Sequence, residues 1–386
     1  MSIAGNKLHD EECAMNKTDI SEKQMQSTIA LFLMGSSVIS SGYTSAKQDT
    51  WIVILIAVAL MIPLAWVYAG ILRLYPGQNF YRNVLRAMGR PVGLTICALY
   101  LFYLLLLGGQ VLRTFSEFVH LVNMTQTPLV GISTAIVAVT VYTLSNRLYV
   151  LTRLGKFVLP FLYFTIILTL LLSFRDMDFS NLRPILQSKQ SDFLKGLMSA
   201  FTLPYGELVA CLPMFGVSGR IEKVFPTMVK GVLLGFGFLF AAVVRNILVL
   251  GYYSSVATFP SYECVSVIQL GEFFTRIEVL IGINLLLAGF IKFAVLAFSS
   301  CEGVIRLFGY RDSEPFVAPV SLLLLTLSGL IESNTSEVFR FITIYPIVAL
   351  PFQVLLPVLI LVVGTVRKKF QKPRKPSPAA RKSPSA

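Results

Sequence analysis

The chain has 386 residues, 55% of them hydrophobic and 14% charged, with a mean hydropathy of +0.72, which excludes an ordinary soluble domain. Its net charge of +13 sorts by loop as membrane topology requires, so no nucleic-acid partner is expected. With two histidines and no HExxH, P-loop or GxSxG context, neither an enzyme nor a cofactor or metal is expected.

Residues 1–23 form a polar leader without the apolar core of a cleavable signal peptide. Apolar runs of the ~20 residues that cross a ~30 Å hydrocarbon layer follow at 24–44, 51–72, 92–120, 128–144, 157–174, 193–215, 227–250, 273–298, 315–333 and 341–364. They predict an all-α integral membrane protein of ten transmembrane helices. With both termini cytoplasmic, the inner segments hold 23 Lys and Arg and the outer loops five, as positive-inside retention demands. The tail 367–386 is basic, Pro- and Ser-rich and free of acids, and is expected to lie disordered against anionic lipid. Of five cysteines, only Cys264 falls in a predicted outer loop, so no structural disulfide is expected there.

The first span is interrupted between Gly35 and Gly42, in GSSVISSG, and the sixth at FTLPYGELV, residues 201–209. Gly loosens a helix and Pro removes a hydrogen bond from it. Each interruption lies ~15–21 Å from its helix start, near mid-membrane. Non-helical backbone is tolerated there only in a protein-lined or watery interior. Paired broken helices at corresponding positions point to a transporter-type binding site, and five spans per half force an inverted repeat, 24–174 against 193–364. The competing reading of GSSVISSG is a small-residue packing face. Glu207 stands at the second break as a counter-charge for a ligand amine or as a proton carrier; alternatively, backbone amides satisfy its carboxyl.

Span three places Tyr103, Gln110, Arg113 and Glu117 within an arc of about 80°, with Arg113 and Glu117 spaced to pair at i, i+4. In span seven, Arg245 is expected to snorkel to the outer headgroups. Span eight carries Glu278, Gly282, Leu285, Gly289 and Lys292 in one stripe. Its two charges lie ~21 Å apart, so each needs a partner on another helix. The stripe is expected to face the interior beside the first break.

AKQDTWI (46–52), SFRDMDFSNLRPIL (173–186), LPYGEL (203–208), and FPSYE followed by GEFFTRIEVLIG (259–282) together resemble the spore germination permease family, the B subunits of nutrient germinant receptors. The resemblance runs from about Ile20 to Val366. It implies a ten-helix, LeuT-like transporter fold in the spore inner membrane, a complex with an A subunit and a lipoprotein C subunit, and recognition of a small nutrient such as an amino acid. Asp49, Trp51, Glu207, Arg276 and Glu278 fall on family positions, whereas Asn284 departs from a tryptophan expected near there.

The candidate ligand-binding set is therefore Gly35, Ser36, Ser37, Ser40, Gly42, Tyr103, Tyr205, Gly206, Glu207 and Asn284. The candidate coupling or gating charges are Arg113, Glu117, Arg276, Glu278 and Lys292. A germinant sensor, an ion-coupled amino acid permease and a scaffold subunit with a vestigial pocket are the readings these residues leave open.

Overall fold

The structure is a computed structural model that describes residues 20–35, 43–122, 124–218, 223–267, 278–310, 312–331 and 335–370. The helices are α1 (Glu22–Met34), α2 (Thr50–Leu74), α3 (Phe80–Met88), α4 (Arg90–Val122), α5 (Leu129–Ser145), α6 (Leu148–Leu172), α7 (Gln190–Ala200), α8 (Leu212–Ser218), α9 (Val224–Leu250), α10 (Pro260–Ser266), α11 (Glu278–Phe308), α12 (Glu314–Leu330), α13 (Thr335–Leu350) and α14 (Leu356–Phe370). Seven helical stretches among the described residues are long and apolar enough to cross a membrane, and α5 and α12 are shorter apolar helices. α1 has 13 residues; Ser36, Ser37, Ser40 and Gly42 lie outside the described residues.

α1 starts and α14 ends on the same face of the described bundle. Lys223 pairs with Glu22 at 2.7 Å before α1 has risen, and Arg367 near the end of α14 donates to the Ala87 carbonyl in the last turn of α3 at 3.5 Å. This termini face and the opposite loop face have different architecture.

At the termini face, residues 73–91 read as a loop in the sequence, yet they contain α3. Its apolar residues Phe80, Tyr81, Val84 and Ala87 are buried, and it packs on α4 and α14. Nine residues are too few to register as a span, which is why the hydropathy pattern missed it. Asn79 caps α3 by accepting from the Arg82 N–H at 3.0 Å, and its amide donates to Glu302 Oε2 at 2.9 Å. α11 also continues to Phe308, ten residues past the predicted end at 298. Hydropathy fails there because the last turns are amphipathic, with Glu302 and Arg306 paired at 3.7 Å.

At the loop face, Asp49 joins two of the sequence motifs. Its carboxylate is buried and accepts from the backbone N–H of Leu186 (2.7 Å) and from the N–H (3.1 Å) and hydroxyl (2.5 Å) of Ser188. Gln48 donates to the Pro184 carbonyl at 3.3 Å. Hydrogen bonds to a charged acceptor are worth ~1.5–3 kcal/mol each. Asp49→Ala should therefore release residues 184–189, and limited trypsin digestion should cut after Lys189 at least tenfold faster than in the parent, with the helical bundle intact.

Arg245 corrects the expectation drawn for span seven. It is fully buried and donates to Thr169 Oγ1 at 2.6 Å and to Asn246 Oδ1 at 3.0 Å. α10 folds over the end of α9 and supplies the Ser261 carbonyl at 3.5 Å. Protein stands where the sequence placed headgroups, so the guanidinium is satisfied without snorkelling. Cys264, expected in an outer loop, is buried in the same short helix.

α1 packs closely against α9 because two glycines make room. A Cβ at Gly231 would lie 2.7 Å from Ile29, and one at Gly235 would lie 3.0 Å from Leu33. This contact seats α1 in the middle of the bundle, and all its residues from Thr28 to Met34 are buried.

Candidate functional site

α1 is capped at Gly35, whose N–H returns to the Leu31 carbonyl. α11 explains the glycine: a Cβ there would stand 2.9 Å from both the Ala288 carbonyl oxygen and Lys292 Cβ. α11 thus packs against the end of α1 at Gly35. Gly282, Leu285, Gly289 and Lys292 are buried, and Gly289 leaves the space that the Phe115 ring of α4 occupies.

The second interruption takes a form the sequence did not predict. Phe201–Tyr205 is a π-helical turn and Gly206–Cys211 a 3-10 stretch. Tyr205 (φ −77°, ψ −44°) and Gly206 (φ −65°, ψ −28°) stay in the right-handed helical region, so the span is distorted rather than unwound. Pro204 lacks an N–H, and the chain absorbs this by widening one turn and tightening the next. Side chains take the carbonyls left over. Gln353 Nε2 donates to the Thr202 carbonyl at 2.9 Å, and the Tyr68 hydroxyl is 3.3 Å from the Gly206 carbonyl and 2.7 Å from that of Gln353.

Gln353 belongs to a second π turn, Pro351–Leu355, between α13 and α14. Its amide also donates to the hydroxyls of Tyr103 (2.9 Å) and Tyr345 (3.2 Å), which share a 2.9 Å hydrogen bond of their own. Gly206 must be glycine in this arrangement, because a Cβ would overlap the Gln353 carboxamide oxygen.

Glu207, the next residue, forms a 2.5 Å ion pair with Lys292, and both side chains are almost wholly buried, at 2% and 3% exposure. Lys292 thus finds its counter-charge on another span, as its ~21 Å separation from Glu278 along α11 requires. The Lys292 ammonium also lies 5.4 Å from the centre of the Phe32 ring, a cation–π distance. In low dielectric such a pair persists only when both charges are present.

Gly35, Glu207 and Lys292 line one cavity with Gln110, Thr114 and Tyr345. Its volume is about 30 Å³, room for about two waters. The carboxamide of Gln110, both oxygen and nitrogen, and the hydroxyl of Thr114 are buried without a hydrogen-bond partner among the described residues. Leaving such groups unsatisfied costs ~1–3 kcal/mol each, which a ligand supplying a donor and an acceptor would recover.

Of the other sequence candidates, Arg113 and Glu117 pair at 2.7 Å, one turn from the cavity wall. Tyr205 is fully buried. Asn284 donates to Thr165 on α6, about two turns from Lys292, and does not line the cavity. Arg276 lies outside the described residues, and of Glu278 the backbone alone is described. Sequence reasoning singled out Gln110 as polar but left it out of the binding set, and it missed Thr114, Tyr345 and Gln353. A lone Gln beside two prolines in the last span, YPIVALPFQ, was the available signal for Gln353, since polar groups in a membrane helix need a reason.

A helical bundle of this design, with a polar centre between the end of α1 and the distorted sixth span, is a transporter-type integral membrane protein. Solved transporters share its fold. Mhp1, a nucleobase-cation-symport-1 family transporter in a closed conformation with bromovinylhydantoin bound, matches with a TM-score of 0.58 at 15% identity over 90% of each chain. A manganese transporter of Eremococcus coleocola matches at 0.59 and 10% identity, over 93% of this chain and 90% of that one. The fold is therefore the LeuT-like inverted repeat.

The model of the family described as spore germination protein matches residues 19–336, and the chain belongs to that family. Its relatives include Spore germination protein KB of Bacillus subtilis strain 168, 26% identical over 92% of this chain and 97% of that protein. Spore germination protein YndE of the same strain is 23% identical over 90% and 97%.

Proposed function

We propose that this chain is the B subunit of a spore nutrient germinant receptor in the spore inner membrane, both termini cytoplasmic, working with an A subunit and a lipoprotein C subunit. The nutrient is a small amino acid held between the first and sixth spans. One observation carries this reading: the amide of Gln110 and hydroxyl of Thr114, without a hydrogen-bond partner among the described residues, face a cavity already holding a buried, mutually neutralised Glu207–Lys292 pair. The site favours a ligand with no net charge, because an added charge in that low-dielectric centre would have no counter-ion. A zwitterion meets the condition, its ammonium toward Glu207 and its carboxylate toward Lys292. At about 30 Å³ the cavity is closed to such a ligand, so binding requires the helices to part. The ligand then biases the complex only by as much as it prefers the parted state.

Spores carrying Gln110→Leu should need about tenfold more nutrient for half-maximal germination, the loss of one or two hydrogen bonds, while receptor levels stay at those of the parent. Normal germination on every nutrient that requires this receptor would refute the pocket and favour a scaffold role. The same buried pair also suits a second reading, an ion-coupled amino acid permease whose Glu207 exchanges a proton with Lys292. Saturable uptake of labelled amino acids into proteoliposomes, abolished by a protonophore, would establish that alternative.

A further inference from the structure

We propose that a crevice of about 510 Å³ between α7 and α13 is a binding site for one anionic phospholipid of the leaflet at the loop face. Its mouth carries Lys195, Ser191 and Ser45, its walls include Met198 and Ile347, and Ser199 lies at its base. The order of chemistry along α7 matches an amphiphile. Lys195 is five residues into the helix, about 8 Å from its start, at the depth of headgroup phosphates, and it lines the crevice with Ser45 and with Ser191, whose hydroxyl donates to Asp192 at 3.4 Å. Deeper in, Met198 and Ile347 present hydrocarbon, and Ile347 is 75% exposed, as a lipid-facing side chain is.

The Ser199 hydroxyl is buried and has no hydrogen-bond partner among the described residues. It provides a polar contact at the depth of the glycerol esters. A cation above an apolar slot, with the hydroxyls of Ser45 and Ser191 lining the same crevice, recognises a phosphodiester with a net negative charge, and Lys195 gives it preference over a zwitterionic headgroup.

The crevice backs onto the centre of the protein. Tyr345, two residues before Ile347, bonds to Gln353 and Tyr103, and Thr202, three residues after Ser199, offers its carbonyl to the same Gln353. A lipid wedged between α7 and α13 thus fixes the spacing of the two helices that form the polar network.

The test is retention of lipid by the full chain. Protein reconstituted in nanodiscs of equal phosphatidylglycerol and phosphatidylcholine is extracted gently, and bound lipid is counted by native mass spectrometry. One phosphatidylglycerol should be retained per chain. Lys195→Gln should lower the ratio of phosphatidylglycerol to phosphatidylcholine about fivefold, the effect of one surface lysine on an anionic lipid. Met198→Trp should fill the slot and remove the retained lipid; if that variant does not fold, Ile347→Trp fills it from the opposite wall. An unchanged ratio in Lys195→Gln, no retained lipid in the parent, or retention in the filled variant would overturn the proposal. None of these outcomes depends on nutrient binding.

Discussion

Lys292→Met should destabilise the protein by ~3–5 kcal/mol, because it strands the Glu207 carboxylate in the middle of the bundle. In a thermal melt of the detergent-purified chain, the midpoint should fall by roughly 4–6 °C. Glu207→Gln alone should do comparable damage by stranding the ammonium. Combined, Glu207→Gln with Lys292→Met should recover most of the lost stability, since a neutral pair of similar volume needs no buried counter-charge. The double variant should nevertheless leave spores unresponsive to the nutrient, because both ligand-facing charges are gone. This pattern separates a structural ion pair from a recognition element: in the structural case the double variant germinates normally. If Lys292→Met melts like the parent, the pair is not charged and the recognition argument falls with it.

The second large effect is expected from Gly206→Ala. The added methyl would collide with the carboxamide oxygen of Gln353, whose amide makes three hydrogen bonds, to Thr202, Tyr103 and Tyr345. Displacing it opens those contacts at ~0.5–1.5 kcal/mol each and leaves buried polar groups unpaired at further cost. A total of ~3 kcal/mol and markedly reduced membrane levels should follow. Gln353→Ala in the same chain removes the collision but leaves the Thr202 carbonyl bare. A double-mutant cycle should therefore show strong coupling between positions 206 and 353, of ~1–2 kcal/mol. Independent effects would mean that the methyl at position 206 is accommodated without displacing Gln353.

The sequence made the bundle and its polar centre readable for two physical reasons. Hydrocarbon thickness sets span length, and charge inside a membrane is costly enough to stand out, so Lys292, Glu207, Arg113 and Glu117 were visible singly. Gly35 also announced itself, and its role proved to be admission of α11. The shape of the second interruption was not readable. Pro204 and Gly206 report that helical bonding must change, but whether the chain unwinds or shifts to π and 3-10 turns depends on who takes the spare carbonyls. Those partners, Tyr68 and Gln353, sit 138 and 151 residues from the carbonyls of Gly206 and Thr202 in sequence. Arg245 failed for a related reason: distance from a helix end predicts snorkelling only when nothing folds over that end, and α10 does. The pairing of Glu207 with Lys292 likewise required a relation between two spans that composition alone does not encode.

Asn79 ties two events together at the termini face. Its oxygen holds the start of α3 and its nitrogen holds Glu302, while Gly216 of α8 lies against its Cβ. Any motion that draws α8 or α11 away from Asn79 therefore also loosens the first turn of α3. Amide deuterium uptake at Phe80 to Asn83 becomes a local clock for that end of the molecule, ticking faster whenever those contacts are released.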